Sequence, residues 1–414
     1  MLPAMKRLVR AAFVLAPVLA GILGCSNQPL RASGTLTFAT SFDAARESVR
    51  SVAQTFPGLT VNFTSAPEIS AGGSSPSDMV LAEYSGNLRR ERASSYGDFG
   101  RFDGRIALPK KEYRGIAAFT QSSRDWFLPA AAYTWGLFSS KAVLTQHKLE
   151  PPADLETLVA DCETLKAQGV TPIALSNSHG WPLLGWLLQI DLLRNGPDQY
   201  MNLVEGRRSF SDPGTVASLT ELDRWISKGY FTSNARSVVW TDALRTVQEG
   251  KAAFILLGGF AMDRVTEASA LSFRVLKEGS GAGGPRAVLG SVSGFVFPSA
   301  GRNLESALAL ADRWVSEGAS GQTGDGFRIP VVTVDQPRGG EASAASPRTE
   351  VQSESLKALE GGARLVPLMD AELTDQAAYD LRAAFIAWPP TGFGSKDAIT
   401  ALAARLAAVV KSSK

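Results

Sequence analysis

An alternation of short strand-like and longer helix-like patterns starts at Gly34 and constrains the fold of this chain more than any other feature. Residues 35–40 (TLTFAT) predict a strand, residues 42–55 a helix, and residues 59–64 (LTVNFT) a second strand. A third strand is predicted for 77–82. Strand–helix–strand units at this spacing favour parallel sheets covered by helices. Ligands of such sheets gather at the carboxyl ends of the strands, which places Ser41 and Phe42, and then Glu83 and Tyr84, on the ligand side.

The rest of the chain continues as helices, one buried strand and one polar loop. A strand is predicted for 250–257, ending at Gly258-Gly259. The stretch 336–354 is rich in Gly, Ala, Ser, Pro and charge, and is predicted to be an exposed loop. Helical patterns with credible stop signals cover 153–168, 183–195, 198–203, 214–228, 242–249, 370–386 and 395–410.

The first residues have the pattern of an export signal. Three basic residues at positions 6, 7 and 10 precede an apolar run over 11–22. That run is about a dozen residues, shorter than the roughly 20 that a membrane-spanning helix needs. The sequence Ile22-Leu23-Gly24-Cys25 resembles the bacterial lipobox, so residues 1–24 are predicted to be a signal peptide and 25–33 a tether lipidated at Cys25. An ordinary secretory signal with an incidental Cys25 is the alternative.

Composition excludes several classes of function. The 414 residues, 44% hydrophobic and 20% charged, suffice for two domains, and the net charge of +2 favours neither nucleic acid nor a polybasic membrane patch. With two histidines, His147 and His179, a multi-histidine metal site or a histidine-based triad is not expected. If Cys25 carries lipid, Cys162 has no partner for a disulfide. No Walker loop, CxxC pair or G-x-S-x-G motif occurs, so we predict no catalytic residue and no metal site.

Several segments, in order along the chain, resemble the family 1 extracellular solute-binding proteins of ABC importers, the maltose-binding-protein-like group with the periplasmic-binding-protein type II fold. The most specific is LEPPADLETL at 149–158 followed by GVTPIAL at 169–175, and Ser139-Ser140 depart from the Tyr-Asn pair common in the family. The other matching segments are 128–141, 210–213, 228–231, 250–254 and 258–261.

The resemblance implies an α/β fold of two lobes, each a mainly parallel sheet flanked by helices, with the ligand cleft between them. The expected N-terminal lobe is 34–140 plus about 290–335, and the C-terminal lobe is 141–289 plus about 355–414. A monomeric lipoprotein of this family, held on the extracytoplasmic face of a membrane, captures a small polar solute by hinge closure and delivers it to ABC permease subunits. A sugar or oligosaccharide is the first expectation, and the resemblance implies that no cofactor is required. A receptor for a polyamine or a phosphorylated polyol, and a surface-anchored carbohydrate-active enzyme, are the alternatives.

The expected ligand suggests which side chains hold it. Sugar rings present apolar C–H faces and a rim of hydroxyls, so a site needs aromatic platforms and polar groups. Trp225 and Trp314 fall at apolar positions of amphipathic helices and are assigned to packing. Trp135 and Trp181 adjoin glycines in segments predicted to be turns, and are the first ligand candidates. The predicted ligand-binding residues are Ser41, Tyr84, Tyr133, Trp135, Trp181, Trp240, Gly259, Phe260 and Ser293.

Overall fold

A computed structural model describes most of the chain from residue 30 onward. The predicted signal peptide, Cys25, Ser41, Phe42 and residues 336–347 of the predicted loop lie outside the described residues. The described ranges are 30–40, 43–64, 77–99, 105–106, 115–120, 125–279, 284–316, 328–331 and 348–413.

The regular elements are mixed strands and helices. The strands are β1 (Gly34–Thr40), β2 (Leu59–Thr64), β3 (Met79–Glu83), β4 (Phe127–Ser140), β5 (Thr171–Ile173), β6 (Ala252–Gly258), β7 (Leu271–Arg274), β8 (Ala287–Val296), β9 (Ile329–Pro330) and β10 (Arg364–Pro367). The helices are α1 (Asp43–Ala53), α2 (Gly86–Ser95), α3 (Ala117–Thr120), α4 (Lys141–His147), α5 (Leu155–Ala167), α6 (Trp181–Val204), α7 (Pro213–Ser227), α8 (Trp240–Gln248), α9 (Leu304–Ser316), α10 (Glu350–Glu360), α11 (Met369–Glu372), α12 (Asp375–Ile386) and α13 (Lys396–Ser412). No helix in the described ranges combines the length and the apolar character that crossing a bilayer requires.

The long strand β4 belongs to two sheets. Its first part pairs antiparallel with β8 as far as Thr134, and its last part, from Trp135, pairs antiparallel with β6 and β7. The first sheet has the order β2-β1-β3-β8-β4, and β1 runs parallel to both β2 and β3, which confirms the predicted β1–α1–β2 unit. In the second sheet β5 runs parallel to β6. Each sheet is therefore mixed, and β4 passes from the first sheet to the second between Thr134 and Trp135.

Each lobe has its own aromatic core. On the first sheet, Phe295 of β8 packs edge-on against Trp314 of α9, with ring centroids 5.3 Å apart. In the second lobe, Trp186 of α6 packs against Trp225 of α7 at 5.7 Å. Trp225 and Trp314 are each 1% exposed, which confirms their assignment to packing.

The structure corrects the prediction that Trp135 lies in a turn. Trp135 lies within β4, and the adjacent Gly136 serves close packing, because a Cβ at that position would lie 2.5 Å from the Phe273 ring. The glycine that suggested a turn is there because β7 passes too close for any side chain.

One predicted helix break is confirmed, and one boundary differs from its prediction. The helices predicted for 183–195 and 198–203 both lie in α6, which is broken by the non-helical backbone of Gly196 (φ 79°) before Pro197, whose ring disfavours helical geometry in the preceding residue. Residues 350–354 of the predicted loop form the start of α10, where Thr349 and Gln352 form a reciprocal capping box.

Candidate functional site

A cavity of about 220 Å³ lies where the two lobes meet. Its walls come from β3, β4 and β8, from α3, α6 and the turn after β6, and from the segment that runs from β10 into α12. The lining residues are Glu83, Tyr84, Phe119, Tyr133, Trp135, Trp181, Phe260, Gly290, Ser291, Pro367, Leu368, Asp370, Ala371 and Arg382.

The register of β4 against β8 sets the floor of the cavity. Tyr133 lies directly opposite Ser291, and Thr134 lies opposite Gly290. These pairs are the last that β4 makes with β8 before it joins the second sheet, so their side chains lie at the junction of the two lobes. Tyr84 reaches the same place because it follows β3 and its amide donates to the Val292 carbonyl of β8.

Helix α6 is held unusually close to β4 and α12. Gly180, which precedes Trp181, has φ 74°, and a Cβ there would lie 2.2 Å from the Arg382 carbonyl oxygen. A Cβ on Gly185 would lie 2.5 Å from Cζ3 of Trp135. Glycine at these two positions lets the start of α6 approach both partners, which brings Trp181, Trp135 and Arg382 together.

Aromatic rings form one wall of the cavity. Trp135 and Trp181 meet edge to face with centroids 5.8 Å apart, and Phe260 lies 6.1 Å from Trp181 and 5.6 Å from Tyr133. These arrangements match the preferred geometry of aromatic pairs. Trp135 is 3% exposed, whereas Trp181 and Phe260 are half-buried and present ring surface to the cleft.

Polar groups face this wall. The Tyr133 hydroxyl donates to Oε2 of Glu83 at 3.5 Å. The Glu83 side chain reaches solvent at the cavity mouth, but the surrounding protein desolvates its carboxylate and raises its pKa, while Arg328 and the Tyr133 hydrogen bond oppose the rise. Burial, reinforced by Glu83, raises the pKa of Tyr133 well above its ordinary value, so its phenol stays a hydrogen-bond donor.

An ion pair completes the polar side. Arg382 donates from Nε to Oδ2 of Asp370 at 2.8 Å, and the Asp370 side chain is buried while Arg382 is partly exposed. The lining therefore offers carboxylates, a guanidinium and hydroxyls beside an apolar wall. Within the described part of the chain, no group of three or more His, Cys, Asp or Glu side chains is arranged to hold a metal ion.

The structure brings five of the predicted residues to this cavity: Tyr84, Tyr133, Trp135, Trp181 and Phe260. Their part in binding stays a prediction. Trp240 is half-buried, packs edge-on against Phe260 at 5.6 Å, and lines a neighbouring pocket of about 690 Å³ instead. Gly259 is buried at the start of a short 3₁₀ helix, Gly259–Arg264.

Ser293 also lies away from the lining. It is 1% exposed, stands opposite Glu83 in the pairing of β3 with β8, and its hydroxyl has no hydrogen-bond partner among the described residues. Ser291, two residues earlier on the same face of β8, occupies the cavity in its place because it lies opposite Tyr133.

Sequence reasoning missed the residues that come from distant segments. Asp370 and Arg382 lie in a stretch predicted only as a helix, and no local motif marks them. The strand pattern places Glu83 on the ligand side beside Tyr84, although it does not make Glu83 a predicted ligand residue. Ser291 could have been found, since it is two residues from the predicted Ser293 on the same strand face.

Known proteins resemble this chain in sequence and in fold. Residues 42–320 match the family described as bacterial extracellular solute-binding protein. The "Multiple sugar-binding protein" of Streptococcus mutans is 21% identical over 230 residues, 51% of this chain and 53% of that protein. Matches to curated relatives span 22% to 53% of those proteins' own lengths.

Solved structures extend the likeness to nearly the whole fold. The bacterial solute receptor AcbH, whose structure is described with an exclusive preference for β-D-galactopyranose, has a TM-score of 0.73 at 19% identity, covering 92% of this chain and 98% of that one. A chitin oligosaccharide binding protein has a TM-score of 0.70 at 19% identity with the same coverage. These likenesses show the two-lobe α/β fold, and because the family match spans more than half of the chain, the protein belongs to the family of bacterial extracellular solute-binding proteins.

Proposed function

We propose that this protein is a receptor that captures a small carbohydrate in the cavity between its lobes and carries out no chemistry on it. The observation that carries the proposal is the pairing of the half-buried rings of Trp181 and Phe260 with the polar groups of Ser291, Asp370 and Arg382 around one cavity. Sugar C–H faces pack on aromatic rings, and sugar hydroxyls both donate and accept hydrogen bonds. The sugar ligands named for the similar proteins support the same class.

The solute would be held by closure of the two lobes. We propose the lobe boundaries predicted from the sequence, with β4 and β8 among the connections that bend as the lobes close. Small-angle scattering should then show a smaller radius of gyration at saturating solute. An unchanged radius would contradict the closure mechanism.

Delivery and location belong to the same proposal. The protein would be exported, cleaved before Cys25, anchored by lipid on that cysteine as a monomer, and would hand its solute to ABC permease subunits. Cys25→Ser should abolish labelling by a radioactive fatty acid and release the protein from the membrane fraction. A labelled mutant would disprove the anchor without touching the binding proposal.

The solute class can be tested directly. Mass spectrometry of small molecules released from the purified protein, followed by calorimetry with a panel of mono- and oligosaccharides, should yield a sugar that saturates one site. Trp181→Ala should weaken that binding, whereas Trp225→Ala, in the core of the second lobe, should leave it unchanged in protein that remains folded. Conversion of the sugar to product would favour the alternative of a carbohydrate-active enzyme.

A polyamine is the second candidate, because two carboxylates, Glu83 and Asp370, converge on the cavity beside aromatic rings. Cations bind both carboxylates and aromatic faces. The Asp370 carboxylate is already paired with Arg382, and Glu83 feels the charge of Arg328, which favours the neutral sugar. Spermidine and putrescine in the same calorimetric panel distinguish the two classes.

A further inference from the structure

An arginine lies just outside the cavity lining, on the same sheet face as the polar floor. Strand β9 pairs antiparallel with β4, with Ala132 opposite Ile329, so the next pair in this register sets Tyr133 opposite Arg328. Directly opposite residues of an antiparallel pair share a face of the sheet. Ser291, Tyr133 and Arg328 therefore form one row across β8, β4 and the residue that precedes β9.

Glu83 lies on this face too. It stands opposite Ser293 of β8, two residues from Ser291, and residues two apart on a strand point to the same side. Its Oε2 accepts the hydrogen bond of the Tyr133 hydroxyl at 3.5 Å. The register thus brings Glu83, Tyr133 and Arg328 to one place, where Glu83 and Tyr133 line the cavity and Arg328 does not.

The arginine is buried and its backbone is fixed in place. Arg328 is 6% exposed, and the neighbouring Ile329 and Val331 are buried as well. The Arg328 carbonyl accepts a hydrogen bond from the Gln352 side-chain amide at 3.0 Å, which ties it to the capped start of α10. Because little water screens a buried guanidinium, its charge acts strongly on the groups around it.

The charge of Arg328 reaches the cavity. Burial raises the pKa of Glu83 and the pKa of Tyr133, and the guanidinium lowers the pKa of both against that rise. The other ionic groups of the lining, Asp370 and Arg382, are paired with each other at 2.8 Å. Of the two carboxylates that line the cavity among the described residues, Glu83 is therefore the one balanced by a charge from outside the lining.

We propose that Arg328 is a positioning residue of the solute site, a buried cation that does not touch the solute but favours the ionised form of Glu83 as the acceptor for a sugar hydroxyl. This inference rests on the proposed carbohydrate function. Hydrogen bonds to an ionised carboxylate are roughly twice as strong as those between neutral groups, and protonation removes acceptor sites. Solute affinity should therefore be highest above the pKa of Glu83 and fall as the pH drops through it.

Removal of the arginine charge should move this fall in affinity to higher pH. Calorimetry with the tightest sugar of the panel, from about pH 5 to about pH 9, would give the curve of affinity against pH. In Arg328→Gln its midpoint should rise by about one to three pH units, the scale of one nearby opposite charge. At a pH between the two midpoints, the Kd of the variant should be about tenfold above that of the parent protein.

Matched variants separate the charge of Arg328 from its packing. Arg328→Lys keeps the charge and should stay close to the parent curve. Arg328→Met removes the charge with an apolar side chain suited to a buried position, so it should shift the curve as Arg328→Gln does and takes its place if Arg328→Gln does not fold. Arg364→Gln removes the same charge from an exposed ion pair with Asp198 and should leave the curve unchanged.

A double-mutant comparison shows whether Arg328 acts through Glu83. Once Glu83→Gln has removed the titrating group, adding Arg328→Gln or Arg328→Met should not shift the curve any further. An unshifted curve in a folded Arg328→Gln or Arg328→Met variant, or a shift that persists in the Glu83→Gln background, overturns this inference and leaves the carbohydrate function standing. If no sugar binds to the parent protein, both proposals fail.

Discussion

Arg90 joins α2 to the end of α11, and under the proposed lobe boundaries it provides the sharpest test of closure. From α2, its guanidinium donates to the backbone carbonyl of Glu372 at 3.1 Å and to that of Leu373 at 2.7 Å, both next to the segment that lines the cavity. A hydrogen bond from a charged donor contributes about 1.5–3 kcal/mol when buried, and the exposure of Arg90 reduces this, so we take about 1–2 kcal/mol for the pair. If these hydrogen bonds form only when the lobes are closed, Arg90→Ala destabilises the closed state by that free energy. The apparent Kd should then rise about five- to thirtyfold.

The assay is calorimetry combined with stopped-flow dissociation, in which the dissociation rate should account for most of the change. Gly86→Ala should act in the same direction, because a Cβ at that position would lie 2.2 Å from the Glu372 carbonyl oxygen and would push α2 from α11. Arg50→Ala is the matched control, since the Arg50 guanidinium pairs with Glu47 of its own helix at 3.1 Å and lies 5.0 Å from the centre of the Phe63 ring of the neighbouring β2. Parent-like binding by Arg90→Ala, or an equal loss in Arg50→Ala, would refute the reasoning.

Other predictions separate binding from packing. Trp181→Ala should weaken solute binding with a small loss of stability, whereas Trp135→Ala should lose both, because Trp135 is 3% exposed and packs against α6; calorimetry and chemical denaturation measure the two effects. Trp225→Ala should lower the free energy of unfolding by about 3–5 kcal/mol and leave the affinity of the folded protein unchanged. Burial raises the pKa of Asp161 to about 6. Its native state therefore binds the proton more tightly, and stability falls as the pH rises from about 4 through 6. Asp161→Asn should raise the free energy of unfolding by about 1–3 kcal/mol at pH 8 and have little effect at pH 4, and equal effects at the two pH values would disprove this origin.

Local pattern predicted the elements well where burial follows a simple period. The predicted strand 59–64 coincides with β2, the helix 214–228 is within one residue of α7, and the packing of Trp225 and Trp314 is confirmed. Each of these predictions depends on the spacing of apolar residues within a few positions of one another, which can be read directly from the sequence. The same reasoning wrongly predicted a turn at Trp135. Its neighbour Gly136 is required by the close approach of the Phe273 ring, which lies well over a hundred residues away in the chain.

The sequence by itself therefore determined the α/β class, the parallel units, the family and the packing role of Trp225 and Trp314, and it indicated aromatic side chains near the cleft. Only the tertiary structure decided which of them share a cavity: the register that sets Tyr133 opposite Ser291, the close approach of Gly180 to Arg382, and the ion pair that joins Arg382 to Asp370. The physical reason is that periodicity encodes which side chains must be buried, whereas the partners across the cleft are set by strand register and helix packing between segments far apart in the chain.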